Sequence, residues 1–387
     1  MNTNIKVLSS AASDTAVSLL FGGDFCPIRG YEKKILSGGE IFSTHIMKEL
    51  SNKDCFIINL ESPLCNSIQN EKLYKGGMGC DPAVAAGFKK FHIDIAGLAN
   101  NHILDKTPEG LMQTIKILKE QKILFGGAGK NYADASEPVQ IEINGLRICF
   151  LITAEKELNI AGPSSPGSAL FNPSTDPYVI QETKNNCDFL ICYVHAGHEF
   201  MLTPSPRIRN SFRSFIDAGA DAVIGHHPHV PQGYEQYRGG WIFYSLGNLI
   251  FDSPYVSAYP NTDIGYLVRL GIKKRKTNSV EIIPYRLREN HMVTELSEQE
   301  QHELNSMFSR INAVIADDGL FEEEWAKNVI TRWNQDYRKI YQDFSNRYRD
   351  DNNPYFLSWM RNMVQCPTHH EIVLKALDLI EEKKLTK

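Results

Sequence analysis

The chain has 387 residues, of which 42% are hydrophobic, and its formal net charge at pH 7 is −5. A chain of this length and composition buries a large core, which excludes disorder of the chain as a whole. The net charge is too small to support binding to nucleic acid or to an anionic membrane. No run of eighteen apolar residues and no secretory signal are found, which predicts a cytoplasmic protein without a transmembrane segment.

The first part of the chain alternates between predicted strands and helices, as expected for a layered α/β domain. Three apolar segments that have the pattern of strands each stop at side chains that commonly bind metals. They cover residues 18–21, 56–58 and 93–98 and lead to Asp24, Glu61 and the pair Asn101-His102. Helices are predicted over residues 35–50 and 82–91, and a third is predicted from Thr107, its N-terminal cap, to about Gln121.

The middle of the chain is richer in strands. Predicted elements are a hairpin at residues 139–152, a long loop at 160–177 that overhangs the site, and a helix at 205–218. Two further apolar strands, residues 189–194 and 222–224, lead into His195 and into Gly225-His226-His227-Pro228-His229. Pro228 restricts the backbone between His227 and His229 and lowers the entropy cost of presenting both imidazoles. For this segment alone, a polar loop with incidental histidines is the alternative.

The composition changes beyond about Leu296, and helices are predicted over residues 298–316, 321–348 and 372–385. The second helix carries a stripe of large side chains on one face, spaced by three and four residues. The stripe consists of Phe321, Trp325, Val329, Trp333, Tyr337, Tyr341, Phe344 and Tyr348. We expect the stripe to pack within its own domain, and a homo-oligomer contact is the alternative. The predicted domains are residues 1–295 and residues 296–387.

One of the eight cysteines lies next to the predicted strand ends. The cysteines form no Cys-x-x-Cys pair, and buried thiols fit a reducing compartment. Cys26 follows Asp24 by two residues, where a thiolate would be able to bind a metal. A structural thiol is the favoured interpretation of Cys26.

The order of the motifs resembles the CapA (poly-γ-glutamate capsule biosynthesis) family, a branch of the calcineurin-like metallophosphoesterase superfamily. The matching motifs are Gly23-Asp24, Asn59-Leu60-Glu61, Leu98-Ala99-Asn100-Asn101-His102, His195-Ala196-Gly197-His198-Glu199, Gly225-His226-His227-Pro228-His229-Val230 and Tyr244-Ser245-Leu246-Gly247-Asn248. The resemblance covers roughly residues 17–252 and implies an α/β fold, a four-layer αββα sandwich of the metallophosphoesterase type, followed here by a helical C-terminal appendage. The sequence departs from the superfamily pattern in two places. Cys26 stands in place of the histidine of the superfamily's Asp-x-His motif. The superfamily's bridging aspartate is also replaced, and Glu61 is the nearest candidate for its role.

The resemblance and the residue chemistry together give a ligand set for two divalent ions. The predicted metal ligands are Asp24, Glu61, Asn101, His195, His227 and His229. Carboxylates supply anionic oxygen and neutral imidazoles supply nitrogen, which favours Mn, Zn or Fe, with Mg as a further option. By analogy with the superfamily, His102 is the general acid, Asp105 orients it, and Glu199 is a ligand, a base or a substrate contact. His226 and Asn248 are expected to support the ligands.

The resemblance implies a metal-dependent hydrolase or transferase in capsule or exopolymer biosynthesis. Its substrate would be a phosphoester or a γ-glutamyl-type amide in a polymer or an envelope precursor. The alternative, favoured by the missing Asp-x-His histidine, is a non-catalytic metal-binding scaffold of a complex that synthesises or exports the polymer. The retained ligand types favour the enzyme.

Overall fold

A computed structural model describes residues 6–9, 16–66, 77–273, 275–347 and 354–385 of the chain. The strands, in chain order, are β1 (Lys6–Ser9), β2 (Val17–Cys26), β3 (Cys55–Leu60), β4 (Ile95–Gly97), β5 (Leu124–Gly126), β6 (Ala128–Gly129), β7 (Val139–Ile143), β8 (Leu146–Ala154), β9 (Gly167–Ser168), β10 (Phe189–His195), β11 (Ala222–His226), β12 (Tyr234–Tyr237), β13 (Gly240–Phe243), β14 (Asn248–Phe251), β15 (Ile264–Lys273), β16 (Lys276–Arg288) and β17 (Met292–Glu295). The α-helices are α1 (Arg29–Leu36), α2 (Thr44–Ser51), α3 (Ala86–Lys90), α4 (Thr107–Gln121), α5 (Tyr132–Ala135), α6 (Asp176–Lys184), α7 (Pro206–Asp217), α8 (Pro254–Ser257), α9 (Glu298–Ala316), α10 (Asp318–Arg332), α11 (Arg338–Arg347), α12 (Pro354–Gln365) and α13 (Pro367–Glu381). A 3₁₀ helix (Pro82–Ala85) precedes α3, and a π-helical segment (Trp333–Tyr337) joins α10 to α11.

Two sheets form the centre of the protein. The first sheet has the strand order β1-β7-β8-β10-β11-β13-β12, and the second has the order β17-β16-β15-β2-β3-β4-β5, with β14 paired to β2. Strands β8, β10 and β11 of the first sheet are parallel, as are β2, β3 and β4 of the second. Because parallel neighbours end at the same edge of a sheet, the loops that follow them lie side by side.

Three buried apolar clusters define the layers. Phe21 of the second sheet and Ile191 of the first belong to one cluster that lies between the two sheets. A second cluster, which includes Leu111, joins the outer face of the second sheet to helices α1 to α4. A third, which includes Phe212, joins the outer face of the first sheet to α6 and α7. The predicted four-layer αββα sandwich is therefore confirmed.

The C-terminal helices pack against the sandwich and against one another. Leu304 of α9 belongs to the cluster between the sheets, and Ile311 belongs to the outer cluster of the first sheet. Helices α10 to α13 build a further cluster around Trp325 and Val329, which Met201 joins from the sandwich. The predicted helical appendage is present, whereas the boundary between residues 295 and 296 stays a prediction. No helix in the described ranges is long and apolar enough to cross a lipid bilayer.

The aromatic stripe is largely buried within the chain. Its members Phe321, Trp325, Val329 and Tyr337 are buried, whereas Tyr341 is 40% exposed. The side chains of residues 344 and 348 lie outside the described part of the chain. The stripe up to Tyr337 therefore packs internally, and the homo-oligomer alternative stays a prediction.

Three element predictions were wrong in detail. The helix over residues 35–50 is two helices, because the chain turns at Gly38, whose φ is +77°, and Ser43 then caps α2. Thr107 does not cap α4, since its backbone is left-handed with φ +64° and its hydroxyl donates to Glu109 at 2.6 Å. The segment predicted as one helix over residues 321–348 contains the π-helical segment at 333–337.

Candidate metal centre

Six buried side chains meet at one edge of the sandwich, three from each sheet. The second sheet contributes Asp24 from β2, Glu61 after β3 and Asn101 after β4, and the first contributes His195 from β10 with His227 and His229 after β11. In neighbouring strands, Asp24 lies opposite Asn59, and His195 lies opposite His226. The structure thus brings together all six residues that the sequence predicts as metal ligands.

The potential ligand atoms form three overlapping groups, each compact enough for a metal ion. Within a group, one atom from each residue lies within 4.8 Å of the others. The groups are Glu61 with His195 and His227, Asp24 with Glu61 and His229, and Glu199 with His227 and His229. Shared ligands are typical of two-metal centres, and carboxylate oxygen with imidazole nitrogen suits Mn, Zn or Fe. The donor set therefore fits the predicted cofactor.

Glu61 lies between histidines that come from separate segments. Its Oε1 atom is 3.6 Å from Nε2 of His195 and 3.7 Å from Nε2 of His229. The amide Oδ1 of Asn101 lies 3.1 Å from the same Nε2 atom of His195. A carboxylate in this position is suited to bridge two ions, which is the role that the family resemblance implies.

The pKa shifts of Asp24 and His195 favour metal binding, whereas the shift of His229 does not. Burial alone would raise the pKa of Asp24, but hydrogen bonds and charges from His226 and His229 hold it well below its ordinary value. Burial and the nearby His227 lower the pKa of His195. Burial would also lower the pKa of His229, but its interaction with Asp24 raises it overall. Asp24 is thus ionised and His195 neutral, as metal ligands must be.

Two candidate ligands have a strained backbone. The φ angles of His227 and His229 are +97° and +58°, a region that costs a non-glycine residue about 1–3 kcal/mol. Asn248 holds His229 through two contacts. Its Oδ1 lies 2.9 Å from Nδ1 of His229, and its Nδ2 donates to the His229 carbonyl at 3.2 Å. Such strain is concentrated at functional sites, and Asn248 has the supporting contacts expected from its motif.

Two residues at the site were missed as functional residues. Asn59 donates from Nδ2 to Oδ1 of Asp24 at 2.8 Å and lies 3.0 Å from Nδ1 of His195, so it links the two sheets. Oε1 of Glu157 lies 3.7 Å from Nε2 of His227. Both residues had a sequence feature that could have identified them. Asn59 lies in the same motif as Glu61, and Glu157 follows the end of β8, the parallel neighbour of β10.

The predicted acid pair is in contact. Nδ1 of His102 lies 2.8 Å from Oδ2 of Asp105, and the same oxygen accepts a hydrogen bond from the backbone of Met78 at 3.0 Å. Asp105 is buried, so its carboxylate holds one edge of the imidazole in a fixed direction. The catalytic roles of both residues stay predictions.

Three neighbouring residues differ in how close they lie to the ligands. His226 is near Asp24, with 3.3 Å between Nδ1 and Oδ1, which agrees with a supporting position. Cys26 belongs to none of the three groups among the described residues, and burial, together with the charge of Glu61, raises the pKa of its thiol. The position of Cys26 outside these groups favours the structural thiol over a thiolate ligand. His198 is buried, and its Nε2 lies 3.0 Å from the Thr368 carbonyl.

The site opens into a cavity of about 490 Å³. His102, Glu157, Glu199, His227 and His229 line one part of it. Residues of the C-terminal helices, which carry none of the sequence motifs, line another part. A substrate in this cavity would therefore contact both the candidate ligands and the helical region.

Comparison with known proteins identifies the family of the chain. The family model described as "Bacterial capsule synthesis protein PGA_cap" matches residues 18–253. The capsule biosynthesis protein CapA of Bacillus anthracis is 30% identical over 263 residues, which are 65% of this chain and 62% of that protein. The PGA biosynthesis protein CapA of Bacillus subtilis (strain 168) is 29% identical over 286 residues, 72% of this chain and 73% of that protein.

Two further similarities are more distant. A probable polyglutamine synthesis accessory protein of Mycobacterium tuberculosis is 30% identical over 171 residues, 41% of this chain and 45% of that protein. The crystal structure of a 5'-nucleotidase precursor from Thermus thermophilus aligns with a TM-score of 0.43 and 12% identity, covering 78% of this chain and 60% of that one. At this similarity, the alignment says nothing about chemistry. The family match spans more than half of the chain, and the chain therefore belongs to the bacterial capsule synthesis protein PGA_cap family.

Proposed function

We propose that the protein is a metal-dependent hydrolase or transferase of capsule or exopolymer biosynthesis. The bond that it cleaves or transfers is a phosphoester or a γ-glutamyl-type amide of the polymer or of an envelope precursor. The observation that carries this proposal is the buried ligand set, which opens onto the same cavity as His102. The family and the names of the Bacillus relatives support the biosynthetic context.

The residues that would hold two divalent ions are Asp24, Glu61, Asn101, His195, His227 and His229, with Glu61 shared between the ions. Ions bound there would polarise an oxygen of the substrate and stabilise charge on the attacking and leaving oxygens. Asp24 and Glu61 are completely buried, so their carboxylates face the ligand histidines without competition from bulk water. Glu199 adds a carboxylate beside His227 and His229 and serves as a further ligand or as a base.

His102 acts as the general acid in this proposal. Its Nδ1 lies 2.8 Å from Oδ2 of Asp105, which leaves Nε2 as the nitrogen that gives a proton to the leaving group. Because Asp105 also accepts from the Met78 backbone, the imidazole is oriented before a substrate binds. Asp105 therefore positions His102 and does not itself contact the substrate.

A non-catalytic scaffold within a complex that synthesises or exports the polymer is the second candidate. The observation that favours it is Cys26, a buried thiol of raised pKa that stands where the superfamily has a metal-binding histidine. A site without that ligand would retain binding and lose turnover. The two candidates therefore differ in rate and agree in metal binding.

The test compares wild type with His102→Ala and His227→Ala. Each protein is loaded with Mn, Zn or Mg and assayed on p-nitrophenyl phosphate, bis(p-nitrophenyl) phosphate and γ-glutamyl p-nitroanilide. We expect His102→Ala to keep its metal content and thermal midpoint and to lose about 10²–10⁴-fold in rate, the usual contribution of a general acid. We expect His227→Ala to lose metal and turnover together. His302→Ala, which removes an exposed histidine of α9, is the matched control.

Two results would contradict this proposal. Metal-loaded wild type without turnover on either substrate class would favour the scaffold. Full activity of His102→Ala would remove the acid role from His102 and make Glu199 the next residue to substitute.

A further inference from the structure

The cavity over the metal centre is walled partly by helices that lie beyond the family match. The matched residues end at 253, whereas Arg332, Asp336 and Tyr337 line the cavity together with Asn362 and His369 of the last two helices. The cavity surface opposite the candidate ligands is therefore supplied by the helical region. Side chains from that region are in a position to select the substrate.

Buried polar contacts hold this helical wall against the loops of the site. Thr368 donates to Oε2 of Glu155 at 2.6 Å, and Asn362 donates to Oε2 of Glu157 at 3.0 Å. Arg207 contacts Glu155 at 2.6 Å. Because Glu157 also faces His227, the wall is connected to the candidate ligands by a short chain of contacts. The wall is therefore a fixed part of the cavity.

Arg332 is a cation that the helical region presents to this cavity. It is the last residue of α10 and directly precedes the π-helical segment, a type of irregularity that is frequent at functional sites. Its guanidinium lies 5.8 Å from the ring centre of Phe200 and 5.7 Å from that of Tyr259, and these two rings stack at 3.8 Å. The aromatic pair thus supports the flat guanidinium, and Glu199 precedes Phe200 in the chain.

The hydrogen-bonding capacity of Arg332 exceeds the contacts that it makes with the protein. Nη1 lies 2.9 Å from Oδ2 of Asp336, and the guanidinium also forms a hydrogen bond with Tyr259 and lies near the charge of Glu199. Its Nε has no hydrogen-bond partner among the described residues. A guanidinium has five N–H donors in a planar fork that matches a carboxylate or a phosphate. The side chain is only 14% exposed, so an anion that met it there would be held in a mostly dry environment.

We infer that Arg332 binds an anionic group of the substrate, a carboxylate or a phosphate, while the bond to be cleaved lies at the metal centre. This inference rests on the proposed function, because it takes the cavity at the candidate ligands as the substrate site. Asp336 competes with the substrate anion for the guanidinium. The specificity of the protein thus depends on residues outside the motifs that define its family.

The test uses probe pairs whose members differ by one anionic group. Calorimetry on the metal-loaded full chain measures how much more tightly the protein binds the more anionic member of each pair. One probe pair is γ-glutamylglutamate against γ-glutamylglutamine, and the other is pyrophosphate against inorganic phosphate. Contacts that both members of a pair make with the metals cancel in the ratio of their affinities. The variants are Arg332→Met, which keeps an apolar stem on Phe200, and Asp336→Asn. Lys327→Met, an exposed cation of the same helix outside the cavity, is the control.

We expect wild type and Lys327→Met to prefer the more anionic member of one pair, and Arg332→Met to lose roughly 10- to 100-fold of that preference. Asp336→Asn should increase the preference, which a purely structural role of the Arg332–Asp336 pair would not produce. The probe pair that responds identifies the anion as carboxylate or phosphate. Thermal midpoint and metal content should stay at the wild-type level in Arg332→Met.

An unchanged preference in Arg332→Met for both pairs would overturn the inference, as would an equal loss in Lys327→Met. Failure of the proposed function has a different signature. If wild type binds the probes through Arg332 but turns over no substrate, the anion site stands and the hydrolase does not. If Arg332→Met hydrolyses an anionic substrate with unchanged KM, the hydrolase stands and the anion site does not.

Discussion

The two sheets contribute different chemistry to the same edge of the protein. The second sheet supplies oxygen donors from Asp24, Glu61 and Asn101, whereas the first supplies imidazoles from His195, His227 and His229. Two of the three compact ligand groups combine residues from both sheets, and the third, with Glu199, uses the first sheet alone. The two ligand groups that contain Glu61 therefore exist only while the sheets are packed face to face. Metal binding and packing of the sandwich should be coupled.

The largest expected effect of this coupling is on thermal stability. An ion that binds only the folded protein stabilises it by about 4 kcal/mol when the free ion is 1,000 times its Kd. We therefore expect a chelator to lower the thermal midpoint by roughly 5–10 °C, and Mn or Zn to restore it. Differential scanning calorimetry with and without EDTA measures this shift. An identical midpoint in both samples would show that the ions do not hold the sheets together.

Removal of one ligand from either sheet should weaken metal binding to a similar extent. Even the loss of a residue that only supports a ligand costs about 10–100-fold in metal affinity, so we expect a loss of at least 100-fold in Glu61→Gln and in His195→Ala. Competition with a fluorescent chelator gives the affinities. The matched controls are Glu298→Gln and His302→Ala, which remove exposed side chains of α9. If only one of the two ligand variants lost metal, we would conclude that residues of a single sheet hold the ions.

Asn59 gives the smallest expected effect and tests whether the sheets are linked without metal. Its amide donates to Asp24 and lies within hydrogen-bond distance of His195, so Asn59→Ala removes a buried polar link between the sheets. We expect the free energy of unfolding of the chelated protein to fall by about 1–3 kcal/mol. Urea denaturation of the metal-free protein measures this change, with Asn290→Ala, an exposed position, as the control. If Asn59→Ala and the control changed the free energy of unfolding equally, only the ions would couple the two sheets.

The family resemblance predicted the layers of the fold, and the local patterns of the sequence predicted several of its elements. The hairpin at residues 139–152 and the helix at 298–316 were confirmed, because alternation, the Asn144-Gly145 turn and a strong helical period are local signals. The six predicted ligands lie close together because strands that end at one edge of a sheet bring the polar residues of the following loops to that edge. The same argument, applied to β8, points to the loop that begins with Glu155 and contains Glu157.

Three features were not predicted from the sequence. Thr107 has the sequence of a helix cap, but its left-handed backbone turns its hydroxyl towards Glu109. The π-helical segment at 333–337 follows a sequence with an ordinary helical period. The position of Arg332 above Phe200 depends on how α10 packs on the sandwich, and no spacing along the chain encodes it.

The contacts that hold the cavity wall join segments that are synthesised far apart in time. Glu157 and Asn362 are 205 positions apart, and Glu155 and Thr368 are 213 positions apart. A ribosome that adds 5–20 residues per second needs about 10–40 s to cover such a distance. During this interval the ligand loops have left the ribosome while the helices that cover them have not yet been synthesised. The candidate ligands are thus synthesised well before the cavity wall that these contacts complete.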